Sequence, residues 1–272
     1  MKIALTVAGS DSGGGAGIQA DLKTFQELGV FGASVLTAVT AQNTQGVYAV
    51  EGLSAALVEA QLKAVLEDFP VAAVKLGMLF SVPIIEKVAY LLNSSSMPII
   101  ADPVMVAKSG AFLLEPLAIK AYGEYLFPLV NLLTPNLPEA EALTQIKIDS
   151  EKALINAARK LQGDGVRNVL IKGGHANNPA WISDYLFLPD RCFRINSVRI
   201  PTLNTHGTGC TFSSAITAFI AKGHSLLDAV MNAKRFLHLA IKHAVQLGHG
   251  WGPVNFSAYR SGEVCEIQVH EF

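Results

Sequence analysis

Short runs of apolar and β-branched residues alternate with amphipathic helical segments along most of this chain of 272 residues. Strands that are apolar along their whole length and separated by helices are typical of a parallel sheet covered on both faces. The pattern therefore predicts an α/β fold with a mostly parallel central sheet. The predicted strands are residues 3–8, 33–41, 72–76, 98–101, 130–133 and 166–171.

The pattern changes in the last third of the chain. Residues 181–188 and 191–199 flank Pro189 and Asp190, which predicts an antiparallel hairpin. Apolar residues at helical spacing predict two further helices, over residues 211–221 and 225–247. No internal repeat or linker divides the sequence, and half of the residues are apolar. We therefore expect one domain over residues 1–272.

Charge and cysteine usage exclude several classes of partner. The formal net charge is −1 and no basic block occurs, which argues against nucleic acid or an anionic membrane as the main partner. No apolar run reaches the ~18 residues of a membrane span, and residues 1–9 fit a first strand better than a signal peptide. The three cysteines include no CxxC pair, so we expect neither a disulfide framework nor a zinc site, and a reducing cytoplasm fits.

Small, polar or charged residues follow each of the six predicted strands. Ligands of parallel α/β sheets bind outside the carboxyl ends of the strands. The sequence therefore predicts one site assembled along that edge. The stretches concerned are residues 9–17, 42–44, 77–78, 102–105, 134–139 and 172–175.

Residues 205–210, with the sequence Thr-His-Gly-Thr-Gly-Cys, stand at the start of a predicted buried helix. Gly207 and Gly209 would let backbone N–H groups converge on one point, to which the helix dipole adds partial positive charge. Such a point binds a phosphate or a developing anion, and it would favour the thiolate of Cys210 or let Cys210 face a substrate hydroxyl. The alternative is a glycine-softened turn before a core helix with a buried cysteine.

Several charged residues allow two interpretations. Asp102 and Glu139 follow neighbouring strands and would suit Mg²⁺ with bound phosphates, but Asp102 could instead anchor a turn and Glu139 could form a capping box with Asn136. Lys172 could contact a phosphate or be solvated. Asp21, at the border of a helix's apolar face, could hold a substrate amine or hydroxyl, or simply face water.

Glycines and histidines give weaker signals. Residues 13–17 match neither a P-loop nor the GxGxxG fingerprint, and they form either a loop over a substrate or a bare turn. His175, His206, His238 and His243 lack metal-ligand spacing, and His238 and His243 fit a helix surface.

Together these stretches resemble the hydroxymethylpyrimidine/phosphomethylpyrimidine kinases of thiamine biosynthesis, in the ribokinase-like superfamily. The resemblance covers about residues 3–256 and leaves residues 257–272 without an assigned role. It implies a ribokinase-like three-layer α/β/α sandwich, ATP and Mg²⁺, and a homodimer. The implied reaction phosphorylates 4-amino-5-hydroxymethyl-2-methylpyrimidine and then its monophosphate. The matching stretches are residues 8–25, 41–44, 75–79, 102–105, 134–140, 172–175, 204–210 and 250–254.

The resemblance also implies roles for particular residues. An anion hole would be formed by Gly207, Gly209 and Cys210, and Cys210 stands where sugar kinases of the superfamily carry an aspartate base. The pyrimidine would be held by Gly9, Asp21, Gln42 and Met78. Mg²⁺ would be organised by Asp102 and Glu139. ATP would be contacted by Asn136, Lys172, Thr208, Ala233 and Lys234.

Two other functions remain open at this stage. Pyridoxal or pyridoxine kinase shares the fold, and dual activity is possible. The Gln42 amide both donates and accepts, which suits a pyrimidine nitrogen beside an amino group, and pyridoxal lacks that amino group. A non-catalytic sensor would be expected to lose Cys210, Glu139 or the glycines, all of which are present.

Overall fold

The structure, a computed structural model, describes residues 1–105, 116–174 and 180–272. Within these residues the strands form one sheet in the order β10-β9-β8-β7-β6-β5-β4-β1-β2-β3. The strands are β1 Ile3–Asp11, β2 Phe31–Gln42, β3 Val47–Gly52, β4 Val71–Leu76, β5 Ile99–Ala101, β6 Leu132–Leu133, β7 Val169–Ile171, β8 Trp181–Phe187, β9 Cys192–Val198 and β10 Gln268–Glu271.

Strand direction divides the sheet into a centre and two edges. Every pairing among β2, β1, β4, β5, β6 and β7 is parallel, whereas β3 and the β8–β10 strands pair antiparallel. The predicted mostly parallel sheet is thus confirmed, as is the hairpin formed by β8 and β9.

Helices cover both faces, which confirms the three-layer sandwich. Helices α1, α7 and α8 pack on one face through a core that includes Phe25, Phe212 and Phe236. The other helices pack on the opposite face through a core that includes Leu62 and Ile85. The bounds are α1 Gly17–Glu27, α2 Ala55–Asp68, α3 Val82–Leu92, α4 Pro116–Ala121, α5 Leu137–Thr144, α6 Glu151–Gly163, α7 Thr208–Ala221 and α8 Leu226–Lys242. Among the described residues no helix is long and apolar enough to span a membrane.

The C-terminal segment is part of the sheet. β10 pairs antiparallel with β9. The ring of Phe272 lies 6.0 Å from that of Tyr185 and 6.1 Å from that of Phe187. Residues 257–272 therefore extend the sheet edge and pack on β8, a structural role that the sequence did not predict.

The last helix is shorter than predicted. α8 ends at Lys242, whereas helical spacing predicted residues 225–247. The chain after α8 contacts the loop after β2. Trp251 N–H donates to the Thr44 carbonyl at 2.8 Å, and Gly250 N–H donates to Thr44 Oγ1 at 3.2 Å. This tertiary contact outweighs helix propensity over those residues.

Candidate active site

The carboxyl ends of the parallel strands open into a cavity of about 800 Å³. Each of the six polar stretches places at least one residue on its wall, including Gly9, Gln42, Met78, Asp102 and Lys172. The start of α7 forms another part of the wall. His175 lies outside the described residues.

The start of α7 is built so that its N–H groups face this cavity. Gly207 is the N-cap and has φ +78°, and a Cβ on it would lie 1.8 Å from the Gly15 carbonyl oxygen. Only glycine fits there. The first N–H groups of a helix have no intrahelical acceptor, and the helix dipole makes their surroundings positive. A Cβ on Gly209 would lie 3.5 Å from Lys172 Nζ, so a cationic side chain adjoins the same turn. We refer to this turn as the anion site, because such an arrangement is suited to bind an anion.

Cys210 follows these glycines, and its thiol is less acidic than a helix N-terminus alone would make it. Burial raises the pKa of the thiol to about 11, and the negative charges of Asp21 and Asp102 add to that effect. Lys75 and a hydrogen bond from Gly17 N–H act in the opposite direction without outweighing burial. The expectation that the helix start increases the thiolate fraction is thus corrected: desolvation dominates, and the thiol is protonated at neutral pH.

Asp102, Lys172 and Glu139 form an open cluster at the ends of β5, β6 and β7. Lys172 Nζ lies 2.5 Å from Asp102 Oδ1 and 3.9 Å from Glu139 Oε2. Burial raises the pKa of Glu139 to about 7; the Lys172 charge opposes this shift and the Asp102 charge reinforces it. The Lys172 ammonium therefore interacts with both carboxylates.

Glu139 also satisfies its alternative interpretation. Its backbone N–H donates to Asn136 Oδ1 at 2.9 Å, and its Oε2 accepts from Asn136 N–H at 2.8 Å. This capping box begins α5 and fixes the Glu139 carboxylate at the cavity wall. The structural and the functional interpretation of this residue are compatible.

The open cluster fits a divalent cation in the manner typical of Mg²⁺. No group of three or more His, Cys, Asp or Glu side chains that could hold a metal occurs among the described residues. Mg²⁺ is usually bound through one or two carboxylates together with substrate phosphates and water. Two carboxylates share one ammonium here, and a bound cation would neutralise the charge that remains when both carboxylates are ionised.

Asp21 lies behind the cavity wall. Its carboxylate is fully buried, accepts from Thr6 Oγ1 at 2.6 Å and from Ser214 Oγ, and bonds Lys75 Nζ at 2.8 and 3.0 Å. Neither predicted interpretation describes it, because the side chain contacts neither water nor the cavity. The sequence analysis missed its partner, Lys75. A lone lysine in an otherwise apolar strand was the available signal, since a buried charge requires a partner.

Another part of the cavity is lined by Gly9, Met78 and Gln42. A Cβ on Gly9 would lie 2.6 Å from Met78 Cε, so glycine keeps space for that side chain. Gln42 lies beside them at the end of β2, within 3.4 Å of His206 Nε2. His206 Nε2 in turn lies 2.8 Å from Asp11 Oδ2. Neither Asp11 nor His206 was assigned a function from the sequence.

The glycine stretch after β1 folds around the Asp11 carboxylate. Oδ1 accepts from Gly13 N–H at 2.8 Å, and Oδ2 accepts from Gly15 N–H at 3.0 Å and Ala16 N–H at 2.8 Å. Burial raises the pKa of Asp11, but the His206 contact and these N–H groups outweigh it and hold the pKa below its usual value. The loop is therefore organised by one ionised side chain.

Of the predicted ATP contacts, four lie on the cavity wall: Asn136, Lys172, Thr208 and Lys234. Lys234 forms an ion pair with Asp184, and Asp184 Oδ1 accepts from Gly173 N–H at 2.9 Å. This network fixes the loop after Lys172. Ala233 is fully buried in the core beneath α8 and does not line the cavity.

Known proteins resemble this chain in sequence. A sequence model of the family described as phosphomethylpyrimidine kinase matches residues 11–255. A hydroxymethylpyrimidine/phosphomethylpyrimidine kinase from Haemophilus influenzae is 51% identical over 263 residues, which cover 95% of this chain and 98% of the relative.

Two solved structures extend the comparison. A Staphylococcus aureus pyridoxal kinase in complex with AMP-PCP and pyridoxal is similar with a TM-score of 0.92 at 34% identity, over 100% of this chain and 99% of that chain. A phosphomethylpyrimidine kinase from Clostridium difficile is similar with a TM-score of 0.77 at 42% identity, over 89% of this chain and 100% of that chain. Enzymes of both activities thus share this fold.

Proposed function

The chain belongs to the phosphomethylpyrimidine kinase family, and from that premise we propose how its cavity carries out the reaction. The enzyme is an ATP-dependent phosphotransferase of thiamine biosynthesis that acts on 4-amino-5-hydroxymethyl-2-methylpyrimidine and then on its monophosphate. The observation that carries the proposal is one cavity with an anion site and Lys172 at one part, and Gly9, Gln42 and Met78 at another.

The anion site and the open cluster would hold the transferred phosphoryl group. Phosphoryl transfer depends mainly on positioning and on stabilisation of charge. The N–H groups of Gly209 and Cys210 and the Lys172 ammonium supply fixed positive charge. Asn136, Thr208 and Lys234 would contact the nucleotide from the same wall.

Asp102 and Glu139 would hold Mg²⁺ with the nucleotide phosphates. The cation neutralises phosphate charge when it is bound. Lys172 would then move its hydrogen bonds from the carboxylates toward phosphate oxygens, since Asp102 and Glu139 would have another partner.

Cys210 would serve the two steps unequally. In the first step the acceptor is a hydroxyl that must lose a proton. Cys210 could accept that proton only when its side chain is a thiolate, which is the minor form. In the second step the acceptor is already a phosphate and needs no base. The N–H group of Cys210 acts in both steps, because the transferred group occupies the same anion site.

Pyridoxal kinase activity is the second candidate, favoured by the similarity to the pyridoxal kinase structure over the whole chain. Gln42 favours the pyrimidine. Its amide can pair with a ring nitrogen and the adjacent amino group together, and a pyridoxal ring would leave part of that pairing unmade.

A coupled ADP-release assay separates these functions. The substrates are the hydroxymethylpyrimidine, its monophosphate and pyridoxal, each with ATP and Mg²⁺, and Lys172→Met serves as the inactive control. We expect turnover of both pyrimidines with a higher kcat/KM than for pyridoxal. A higher value for pyridoxal would reverse the assignment, and no turnover of any substrate would favour a sensor.

The oligomeric state and the cellular compartment are also proposed. A homodimer follows from the family resemblance, and sedimentation equilibrium would test it. The three cysteines, Cys192, Cys210 and Cys265, are all free, which supports a reducing compartment such as the cytoplasm.

A further inference from the structure

One contact of the Gln42 side-chain amide cannot be a hydrogen bond. Gln42 Nε2 lies 3.4 Å from His206 Nε2. The same His206 nitrogen lies 2.8 Å from Asp11 Oδ2, and a carboxylate can only accept. His206 Nε2 must therefore carry the proton. Two donors, the amide NH₂ and the imidazole N–H, would then face each other.

The other end of the amide gives an independent indication. Thr40 Oγ1 lies 2.9 Å from the Ser10 carbonyl oxygen and 3.2 Å from Gln42 Oε1. A hydroxyl has one proton, and the shorter contact to Ser10 takes it. The Thr40 oxygen is then left as an acceptor facing an amide oxygen, which is a contact between two acceptors.

A half-turn of the Gln42 amide resolves both conflicts. Its oxygen would accept from His206 Nε2–H and its NH₂ would donate to Thr40 Oγ1. Amide oxygen and nitrogen are similar in shape, so the hydrogen-bond partners decide the orientation. Here the chain of donors runs from Gln42 to Thr40 to the Ser10 carbonyl, and the one proton on His206 Nε2 is shared between Asp11 and, at longer range, the Gln42 oxygen.

We propose that Asp11, His206 and Thr40 are positioning residues that lock the Gln42 amide with its oxygen toward His206 and its NH₂ toward Thr40, and so select an aminopyrimidine edge. The locked amide retains one acceptor lone pair on the His206 side and one N–H on the Thr40 side. A substrate with adjacent donor and acceptor groups satisfies both. This inference rests on the proposed pyrimidine substrate.

Asp11 connects this selection to the glycine loop. The carboxylate that orients His206 also accepts the N–H groups of Gly13, Gly15 and Ala16. A Cβ on Gly15 would lie 2.5 Å from His206 Cδ2, so the loop backbone packs directly on the imidazole. The position of the loop and the orientation of the Gln42 amide are therefore set by the same ion.

Nuclear magnetic resonance tests the orientation itself, without substrate. The Gln42 side-chain NH₂ signals of the wild type are assigned by their loss in Gln42→Ala. We expect nuclear Overhauser effects from these protons to the Thr40 methyl group and none to the His206 ring. Effects to the His206 ring in place of the Thr40 methyl would overturn the locked orientation, whatever the enzyme phosphorylates.

Kinetics test whether His206 acts through Gln42. His206→Phe keeps an aromatic ring and removes the donor, and His206→Gln retains a donor. We expect His206→Phe to raise KM for the pyrimidine about tenfold, or about 1.4 kcal/mol, with kcat and the KM for ATP within about twofold. His206→Gln should recover most of the loss. In a Gln42→Ala background His206→Phe should add less than about twofold.

Two controls make the result specific. His243 also pairs with a carboxylate, Glu263, and lies outside the cavity, so His243→Phe should leave every constant unchanged. Equal effects of His206→Phe in both backgrounds would overturn the coupling. A wild type that does not phosphorylate the pyrimidine would instead refute the proposed function, so the two failures are distinct.

Discussion

Two lysine–carboxylate pairs adjoin α7, through Ser214 and Ser213, and differ in how completely their hydrogen bonds are satisfied. The closed pair is Lys75 with Asp21, whose side chains are both 0% exposed. The open pair is Lys172 with Asp102, and Lys172 retains 14% exposure at the cavity. In the closed pair Asp21 has further hydrogen bonds from Thr6 and Ser214. In the open pair the contacts of Asp102 with other described side chains are longer, at 3.3 Å from Thr134 Oγ1 and 3.4 Å from Ser213 Oγ.

The two pairs have the same composition, and this difference indicates a structural role for the closed pair and a functional role for the open pair. Burial of an ion pair costs free energy that only full hydrogen bonding offsets. Asp21 meets that condition by joining β1, α1, β4 and α7, so the closed pair fixes the position of α7. The open pair has unused hydrogen-bonding capacity, which phosphate oxygens and a cation can fill. Besides burial, charges from both pairs affect the pKa of the Cys210 thiol, since Lys75 lowers it and Asp21 and Asp102 raise it.

The largest effect is expected for stability when the closed pair is broken. Lys75→Met leaves the Asp21 charge buried and uncompensated, and such changes cost about 3–5 kcal/mol. Urea unfolding followed by circular dichroism measures the loss. Lys63→Met is the control, since Lys63 pairs with Glu59 on the surface and should change stability little. A loss of stability no greater than that of Lys63→Met would contradict a structural role for the closed pair.

Breaking the open pair should affect catalysis more than folding. Lys172→Met removes a charged donor from the anion site, and the loss of one such donor lowers kcat about 10²–10³-fold. The loss of stability should be clearly smaller than for Lys75→Met, because Lys172 borders the cavity and Glu139 can take up a proton. Steady-state kinetics and urea unfolding of the same preparations compare the two. Comparable loss of stability in both variants would remove the distinction between the pairs.

Patterns that repeat along the chain were predictable, and contacts between distant segments were not. The apolar strands gave the parallel sheet, and the polar residues after them gave the cavity. β3 and β10 were missed because they are edge strands defined by their partners. The capping box of Asn136 and Glu139 was visible because its residues are three positions apart.

The site residues divide in the same way. Gly207 and Gly209 could be assigned from the local spacing of a helix start. The closed pair joins residues 54 positions apart, and Asp11 lies 195 positions from His206. Asp21 was therefore expected either at a substrate or in water, because the sequence shows that it borders an apolar helix face but not which lysine it meets. Desolvation of Cys210 was invisible for the same reason.

The pH dependence of stability should reveal the burial of Glu139 in the open cluster. Burial raises the pKa of Glu139 to about 7, so between its ordinary value of 4.5 and about 7 only the folded state binds this proton. The resulting stabilisation is present below pH 4.5 and is lost as the pH rises through about 7. At about 1.4 kcal/mol per pKa unit it amounts to roughly 3 kcal/mol at most.

Glu139→Gln is the matched variant, because glutamine can keep the capping box without a charge. Urea unfolding at pH 4.5 and pH 7.5 should show that the wild type loses more stability than the variant as pH rises. Parallel pH profiles would mean that burial does not raise the pKa of Glu139.

The smallest effect is a difference between the two phosphorylation steps, and it is set by Cys210 between the two pairs. Alanine keeps the backbone N–H of the anion site and removes the thiol. Because only the hydroxyl acceptor of the first step must lose a proton, Cys210→Ala should lower kcat for the pyrimidine about tenfold more than kcat for its monophosphate. Since the pKa of the thiol is about 11, the first-step rate of the wild type should also rise with pH, and that of the variant should not. Cys265→Ala, outside the cavity, should leave both steps unchanged. Equal losses in both steps, or none, would exclude the thiol as a base and leave Cys210 with its backbone role alone, in which case the closed pair would serve only to hold that N–H group in place.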